Sequence, residues 1–219
     1  FTPTPEEIAQ VSLEHISHVK KAVVSFGQGC EGDPLMAFNA IEPAIRLIRK
    51  GTDKGTINLN TNASLPRHVE QLCRAGLDSM RVSLNSVREN CYQAYFRPKS
   101  YQFSDVLNSI RVAKQQDKFV SINYLNCPGF TDSQKEFAAL KEFIATYRID
   151  MIQWRNLNFD PRTYCELMAK IEDYGRPLGM ETIIKQLSVH FPKLIHGYFN
   201  PPLFSPAPFF PTREHHEKQ

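Results

Sequence analysis

No apolar run in the 219-residue chain approaches the roughly 20 residues that a membrane-spanning helix needs, and this argues against an integral membrane protein. The opening Phe1-Thr2-Pro3-Thr4-Pro5-Glu6-Glu7 has neither the basic start nor the apolar stretch of a secretory signal, so a cytoplasmic protein is expected. Cys-x-x-Cys pairs are missing too. The five cysteines, at 30, 73, 91, 127 and 165, are odd in number and widely spaced, which fits neither a disulfide framework nor a zinc knuckle and reads as free thiols in a reducing compartment. Histidines 15, 18, 68, 190, 196, 215 and 216 share no face apart from the His215-His216 pair in a polar tail. Nor is charge of one sign concentrated. The 26 Lys and Arg are scattered rather than interleaved with aromatics, and the formal charge is only +3, so no nucleic-acid groove is indicated. Disorder is a poor reading as well, because 42% of the residues are hydrophobic and 22% charged, an ordinary soluble balance.

What is present is an alternation. Thr4 and Glu7 form a capping box for a helix over 6–18. Lys21 to Phe26 is a first strand, followed by a helix whose Phe38, Ile41, Ala44, Ile45 and Ile48 share one face and which ends at Gly51. Strands follow at 56–60, 79–84, 119–125 and 151–157, with helices over 69–75, 105–116 and from Thr131, where Thr131 and Gln134 suggest a second capping box. A helix must cross between parallel strands, so this order predicts a parallel sheet of α/β class. Residues 85–100 read as a long aromatic loop, either a lid or simple packing against the next helix. Trp154 alternates with Gln153 and Arg155 and so faces the core. Beyond Asp160-Pro161 the rhythm stops. Helices near 164–174 and 181–190 look like appendages, and from Pro192 on the segment reads as strandless, with 199–219 draped over the domain or partly disordered. This divides the chain into 1–160 and an extension over 161–219.

Gly27-Gln28-Gly29-Cys30-Glu31-Gly32 satisfies the G-x-G-x-x-G dinucleotide fingerprint. Its context speaks against phosphate. Glu31 and Asp33 flank the third glycine, where an anion would be repelled, and the second strand ends in Asn60 and Asn62 rather than an acidic residue.

Ligands of parallel α/β folds bind at the carboxyl ends of the strands. Those ends carry Glu31 and Asp33; Asn60, Thr61 and Asn62; Ser83, Asn85 and Ser86; Asn123 and Asn126; and Gln153, Arg155, Asn156 and Asn158. Amides and hydroxyls dominate, with no strand-end lysine or histidine for covalent or general-base work. Such a lining holds a polar ligand, while the chemistry comes from a cofactor.

Glu31-Gly32-Asp33-Pro34-Leu35 resembles the Gly-Gly-Glu-Pro-Leu loop of radical SAM enzymes, Asn60-Thr61-Asn62 resembles the Thr-Asn-Gly stretch at their next strand end, and Ala75 to Leu84 is similar to the segment after it. The resemblance covers about residues 6 to 160 and implies a partial (βα) TIM-like barrel that binds S-adenosylmethionine. It implies that Glu31, Gly32 and Asp33 receive the methionine ammonium, that Ser83 and Asn85 face the ribose or carboxylate, and that Asn123 and Gln153 face the nucleoside. Arg155 is then a candidate for the cofactor's carboxylate or for a small-molecule or peptide substrate.

That family's [4Fe-4S] cluster is held by Cys-x-x-x-Cys-x-x-Cys, and no such triplet occurs here. The cluster, and the iron–sulfur metal-binding that goes with it, is therefore expected only with an amino-terminal segment that this chain lacks, and residues 1–219 alone are not expected to cleave S-adenosylmethionine reductively. The alternative is a degenerate, non-catalytic barrel that binds a polar small molecule or a partner protein. An acid–base enzyme of similar fold ranks below both, for want of acid–base residues.

Overall fold

The computed structural model describes residues 2–27, 32–171, 173–197 and 199–203. Six parallel strands form one sheet in chain order: β1 (Val23–Phe26), β2 (Thr56–Thr61), β3 (Ser79–Leu84), β4 (Phe119–Asn126), β5 (Met151–Asn156) and β6 (Ile195–Gly197). The helices are α1 (Pro5–His18), α2 (Phe38–Gly51), α3 (Pro66–Ala75), α4 (Glu89–Phe96), α5 (Phe103–Gln115), α6 (Gln134–Tyr147), α7 (Pro161–Ala169) and α8 (Met180–His190). The parallel sheet is the one the alternation predicts, and one open sheet with crossover helices is the partial (βα) barrel that the resemblance implies. Among the described residues no helix is long and apolar enough to cross a membrane.

Alternation along each strand separates two faces. One carries Ile57, Leu59, Met80, Val82, Val120, Ile122 and Ile152, all fully buried beneath the helices. The facing helix stripes are those read from periodicity, including Ile41, Ile45 and Ile48 of α2 and Phe137, Leu140 and Ile144 of α6. Burying each such side chain stabilises the fold by about 1.5–3 kcal/mol, so the layer between sheet and helices holds the molecule together. The other face, the barrel interior, is polar: Ser25, Asn58, Asn60, Ser79, Arg81, Ser83, Ser121, Asn123 and Gln153. A stable outer layer thus leaves the inner face free to be chosen for binding.

The capping box at Thr4 and Glu7 forms. The second one does not. The Thr131 hydroxyl instead accepts from Cys127 N at 2.8 Å and donates to Leu125 O at 3.0 Å, and α6 starts after Ser133. Residues 85–100 are not all loop: α4 forms over Glu89–Phe96, with Tyr92 and Phe96, one turn apart, packing their tilted rings at 4.7 Å. Nor is the segment after Pro192 strandless. Ile195–Gly197 pairs with Met151 to Gln153, so residues past 160 join the same sheet, through a strand too short to leave a periodic signal.

After β6 the chain returns to the opposite edge of the sheet. Asn200 Nδ2 donates to Ser25 Oγ of β1 at 3.0 Å, and Leu203 N donates to Thr56 Oγ1 of β2 at 2.8 Å. Residues 204–219, with His215-His216, lie outside the described residues.

Candidate functional site

A cavity of about 630 Å³ opens on the inner face, lined by residues of β1 to β5, by Tyr95 and Phe96 of α4, and by Phe199 and Asn200. The volume is that of an ordinary small-molecule site. Six residues expected from the strand ends meet there: Asn60, Ser83, Asn123, Gln153, Arg155 and Asn158. The register sets their depths. Asn60 lies level with Arg81, Ser83 with Asn123 and Gln153 in one row above, and Arg155 with Leu125 in the row above that.

The deeper row is tied into a continuous network. Ser79 Oγ donates to Asn58 Oδ1 at 2.8 Å, and Asn58 Nδ2 donates to Ser25 Oγ at 2.7 Å and to Asn60 Oδ1 at 3.0 Å. Asn60 Oδ1 also accepts from Arg81 Nε at 2.9 Å and from Asn200 Nδ2 at 3.3 Å, and Arg81 Nη1 donates to Gln153 Oε1. Above that row, Gln153 alone is drawn into this network. Ser83, Asn123 and Arg155 make no side-chain hydrogen bond to any described residue, and Asn123 Oδ1 is a buried acceptor left without a partner. A buried orphan of that kind calls for a ligand or water donor. Burial, and then the charge of Arg155, lowers the Arg81 pKa from its ordinary value.

The other expected site residues stand elsewhere. Asp33 is turned to structural use: Oδ1 accepts from Leu35 N at 3.0 Å and from the Thr61 hydroxyl at 2.7 Å, and Oδ2 accepts from Asn62 N at 2.6 Å. Its carboxylate therefore pins the loop after β1 to the end of β2. Asn62 Oδ1 accepts from Ser64 N at 3.0 Å, closing a turn. Asn85 is buried under α4, donating to Cys91 O at 3.0 Å and to the Tyr164 hydroxyl at 3.3 Å, and does not line the cavity. Gly32 has a positive φ of 103° outside the cavity lining, and Glu31 lies outside the described residues. Gln28 to Glu31 of the glycine fingerprint lie outside the described residues; beyond them a 3-10 turn begins at Pro34 and α2 at Phe38. Gly27 is glycine for another reason: at φ 78°, a Cβ there would run into the Asn60 carbonyl oxygen and the Pro34 ring.

Strand ends alone missed Ser25, Asn58, Arg81 and Asn200. Asn58 and Arg81 were signalled by polar residues two apart inside strands, Asn58-x-Asn60 and Ser79-x-Arg81-x-Ser83, whereas Ser25 is the lone polar residue of β1. Asn200, between an aromatic residue and two prolines, had no such signal.

A parallel half-barrel with a polar pocket on its open face defines a cofactor- or substrate-binding (βα) protein. The family model described as the radical SAM superfamily matches residues 1–140, and the chain belongs to that superfamily. No curated protein matches it. Among solved structures, Streptococcus suis SuiB bound to S-adenosylmethionine is similar over 91% of this chain and 44% of its own, with 14% identity and a TM-score of 0.60. Methylornithine synthase PylB matches over 100% of this chain and 68% of its own, at 12% identity and a TM-score of 0.55. A radical SAM methyltransferase from Sphaerobacter thermophilus matches over 90% and 58%, at 16% identity and a TM-score of 0.55. Identities this low show the fold alone. The chain spans 44% of the length of SuiB.

Proposed function

We propose that the inner face binds S-adenosylmethionine at the upper row of strand ends and belongs to an enzyme that carries out radical chemistry on a substrate held below it. The observation that carries this reading is the set of unengaged polar groups, Ser83, Asn123 and Arg155, on three adjacent strands above one cavity. The orphaned Asn123 oxygen fits a ligand donor such as a ribose hydroxyl or an adenine amine, and Ser83 Oγ can donate or accept beside it. Arg155 fits a carboxylate, which its guanidinium meets through two parallel hydrogen bonds. Asn60 and Gln153, held by the network beneath, keep the cavity floor rigid, so little ordering remains for the ligand to impose. Tyr95 and Phe96 form an apolar wall that excludes water from one side.

With a reduced [4Fe-4S] cluster, S-adenosylmethionine supplies the one-electron chemistry of this superfamily. The residues of this chain do not fit the cluster. Among the described residues no three Cys, His, Asp or Glu side chains stand where they could hold a metal, and the five cysteines include no Cys-x-x-x-Cys-x-x-Cys. No step through the cluster is assigned to these residues. The same mismatch favours, as a second reading, a barrel that binds without catalysis.

Calorimetric titration of S-adenosylmethionine tests the first reading. Binding is expected to the chain and to weaken about tenfold in Asn123→Ala, the worth of a single hydrogen bond to a ligand. No heat from the wild-type chain, with its melting temperature intact, overturns cofactor binding and leaves the binding barrel.

A further inference from the structure

Two thiols from different elements meet outside the cavity. Cys127, the residue after β4, and Cys165 of α7 hold their sulfurs 3.7 Å apart. Cys127 belongs to a small core cluster with Cys91, Phe130, Tyr164 and Met168, against which Cys165 packs. Cys127 is buried and Cys165 half-buried, so one member of the pair reaches solvent. Burial, and then the hydrogen bond with Cys165, pushes the Cys127 thiol up to about 12. Cys127 therefore stays protonated at neutral pH, and Cys165 is the member that meets a reagent first.

The fold holds the pair from both sides. The Cys127 backbone is closed in a turn: its N–H donates to the Thr131 hydroxyl at 2.8 Å, and its carbonyl accepts from Phe130 N at 3.0 Å and Thr131 N at 2.9 Å. On α7, the Asp160 carboxylate accepts from Thr163 N at 2.7 Å, and Tyr164, next to Cys165, accepts from Asn85 and sets its ring edge-on to Phe130 at 5.5 Å. A disulfide needs sulfurs about 2.05 Å apart, so the two have about 1.7 Å left to close, within reach of side-chain rotation and a small helix shift. Keeping both thiols in one place makes the second step of an exchange intramolecular, at high effective concentration.

We propose that Cys165 is a modification site for low-molecular-weight disulfides and that Cys127 resolves the adduct, giving a reversible Cys127–Cys165 disulfide. With glutathione disulfide the Cys165 thiolate attacks one glutathione sulfur, that S–S bond breaks, and the first glutathione leaves as a thiolate. The Cys127 thiolate then attacks the Cys165 sulfur and displaces the second. Two protein thiols are oxidised by two electrons, one glutathione disulfide is reduced to two glutathiones, and the protons lost by the protein thiols end on them. Attack by Cys127 sets the rate, because its thiolate is scarce. The new bond ties α7 to the end of β4. Tyr164, whose ring meets Tyr95 edge-on at 5.5 Å, carries the tie to a wall of the cavity, so oxidation clamps that side. The pair stands whether or not S-adenosylmethionine occupies the inner face.

In the test the full chain is reduced, incubated with excess glutathione disulfide, blocked with iodoacetamide and digested with trypsin. Fragments 119–135 and 163–170, which carry Cys127 and Cys165, are expected as one linked species that dithiothreitol separates. Cys165→Ser is expected to give no such species. Cys127→Ser is expected to keep one glutathione on fragment 163–170, where wild type passes it on. Should Cys127→Ser fail to fold, Cys127→Ala takes its place, with no polar group to bury. Amide exchange in α7 is expected to slow in the oxidised wild type and to stay unchanged in Cys165→Ser. Absence of the linked species, its replacement by links to Cys30, Cys73 or Cys91, or equal glutathione on Cys165 with and without Cys127 overturns the pair. A linked species with unchanged α7 exchange overturns the clamp.

Discussion

Trp154 Nε1 donates to His196 Nδ1 at 3.1 Å, and the two rings stack within 8° of parallel. Because Nδ1 accepts, the proton of the neutral ring sits on Nε2, which is buried without an acceptor among the described residues. Burial lowers the His196 pKa from its ordinary value of about 6.5. Protonation would place a second proton against the indole donor, so the folded state prefers the neutral ring.

The sign of the pH dependence follows. With a folded pKa below the unfolded one, the unfolded chain takes up the proton first. Stability is therefore full above pH 6.5 and declines as pH falls through that value toward the folded pKa. Urea unfolding from pH 8 to 5 is expected to show this slope, and His196→Gln to flatten it. An unchanged slope in the variant would assign the loss to carboxylates instead.

Asp33 accepts three hydrogen bonds that join the loop after β1 to the end of β2. Asp33→Ala is expected to destabilise the protein by about 2–3 kcal/mol, in the range for bonds to a charged acceptor. Denaturant unfolding measures it, and a midpoint equal to wild type would mean that the loop holds without its carboxylate.

Glu136 is fully buried and accepts from Ser86 Oγ at 2.9 Å, Arg88 Nε at 2.7 Å and the Tyr124 hydroxyl. This carboxylate fastens the turn after β3 to α6. Removing it takes one shared acceptor from Ser86, Arg88 and Tyr124, so Glu136→Ala should lose about 1.5–3 kcal/mol, the range for hydrogen bonds to a charged group. A loss under about 1 kcal/mol would show that water or another group takes over the cation.

Asn200 crosses to β1 and donates to Ser25 and Asn60. Asn200→Ala should weaken global stability by about 1 kcal/mol and speed amide exchange in β1 while leaving β3 and β4 protected. Equal protection of β1 in both proteins would show that the crossing does not hold the edge.

The architecture was legible because its signals are periodic. The stripes of α2 and α6 and the repeated strand-then-helix order each average over many residues, and they correspond to the observed sheet and core. What escaped was shorter or more distant. β6 has three residues, α4 needed a single aromatic pair, and the Thr131 hydroxyl found closer backbone partners than the cap it resembled. At the site, counting polar strand ends located the cavity but overstated them. Asp33, Asn62 and Asn85 are polar there to satisfy backbone and buried groups. Arg81 was overlooked because it lies inside its strand, where only alternation with Ser79 and Ser83 reveals its face.

The contact between Ser25 and Asn200 joins residues 175 apart in the chain. Closing so long a loop is entropically disfavoured until the intervening strands have already docked. The amide cluster at the cavity floor thus takes its final form at the end of folding. A nascent chain has its helix-covered core before it has a finished ligand site, so binding competence should lag compaction when refolding is followed in time.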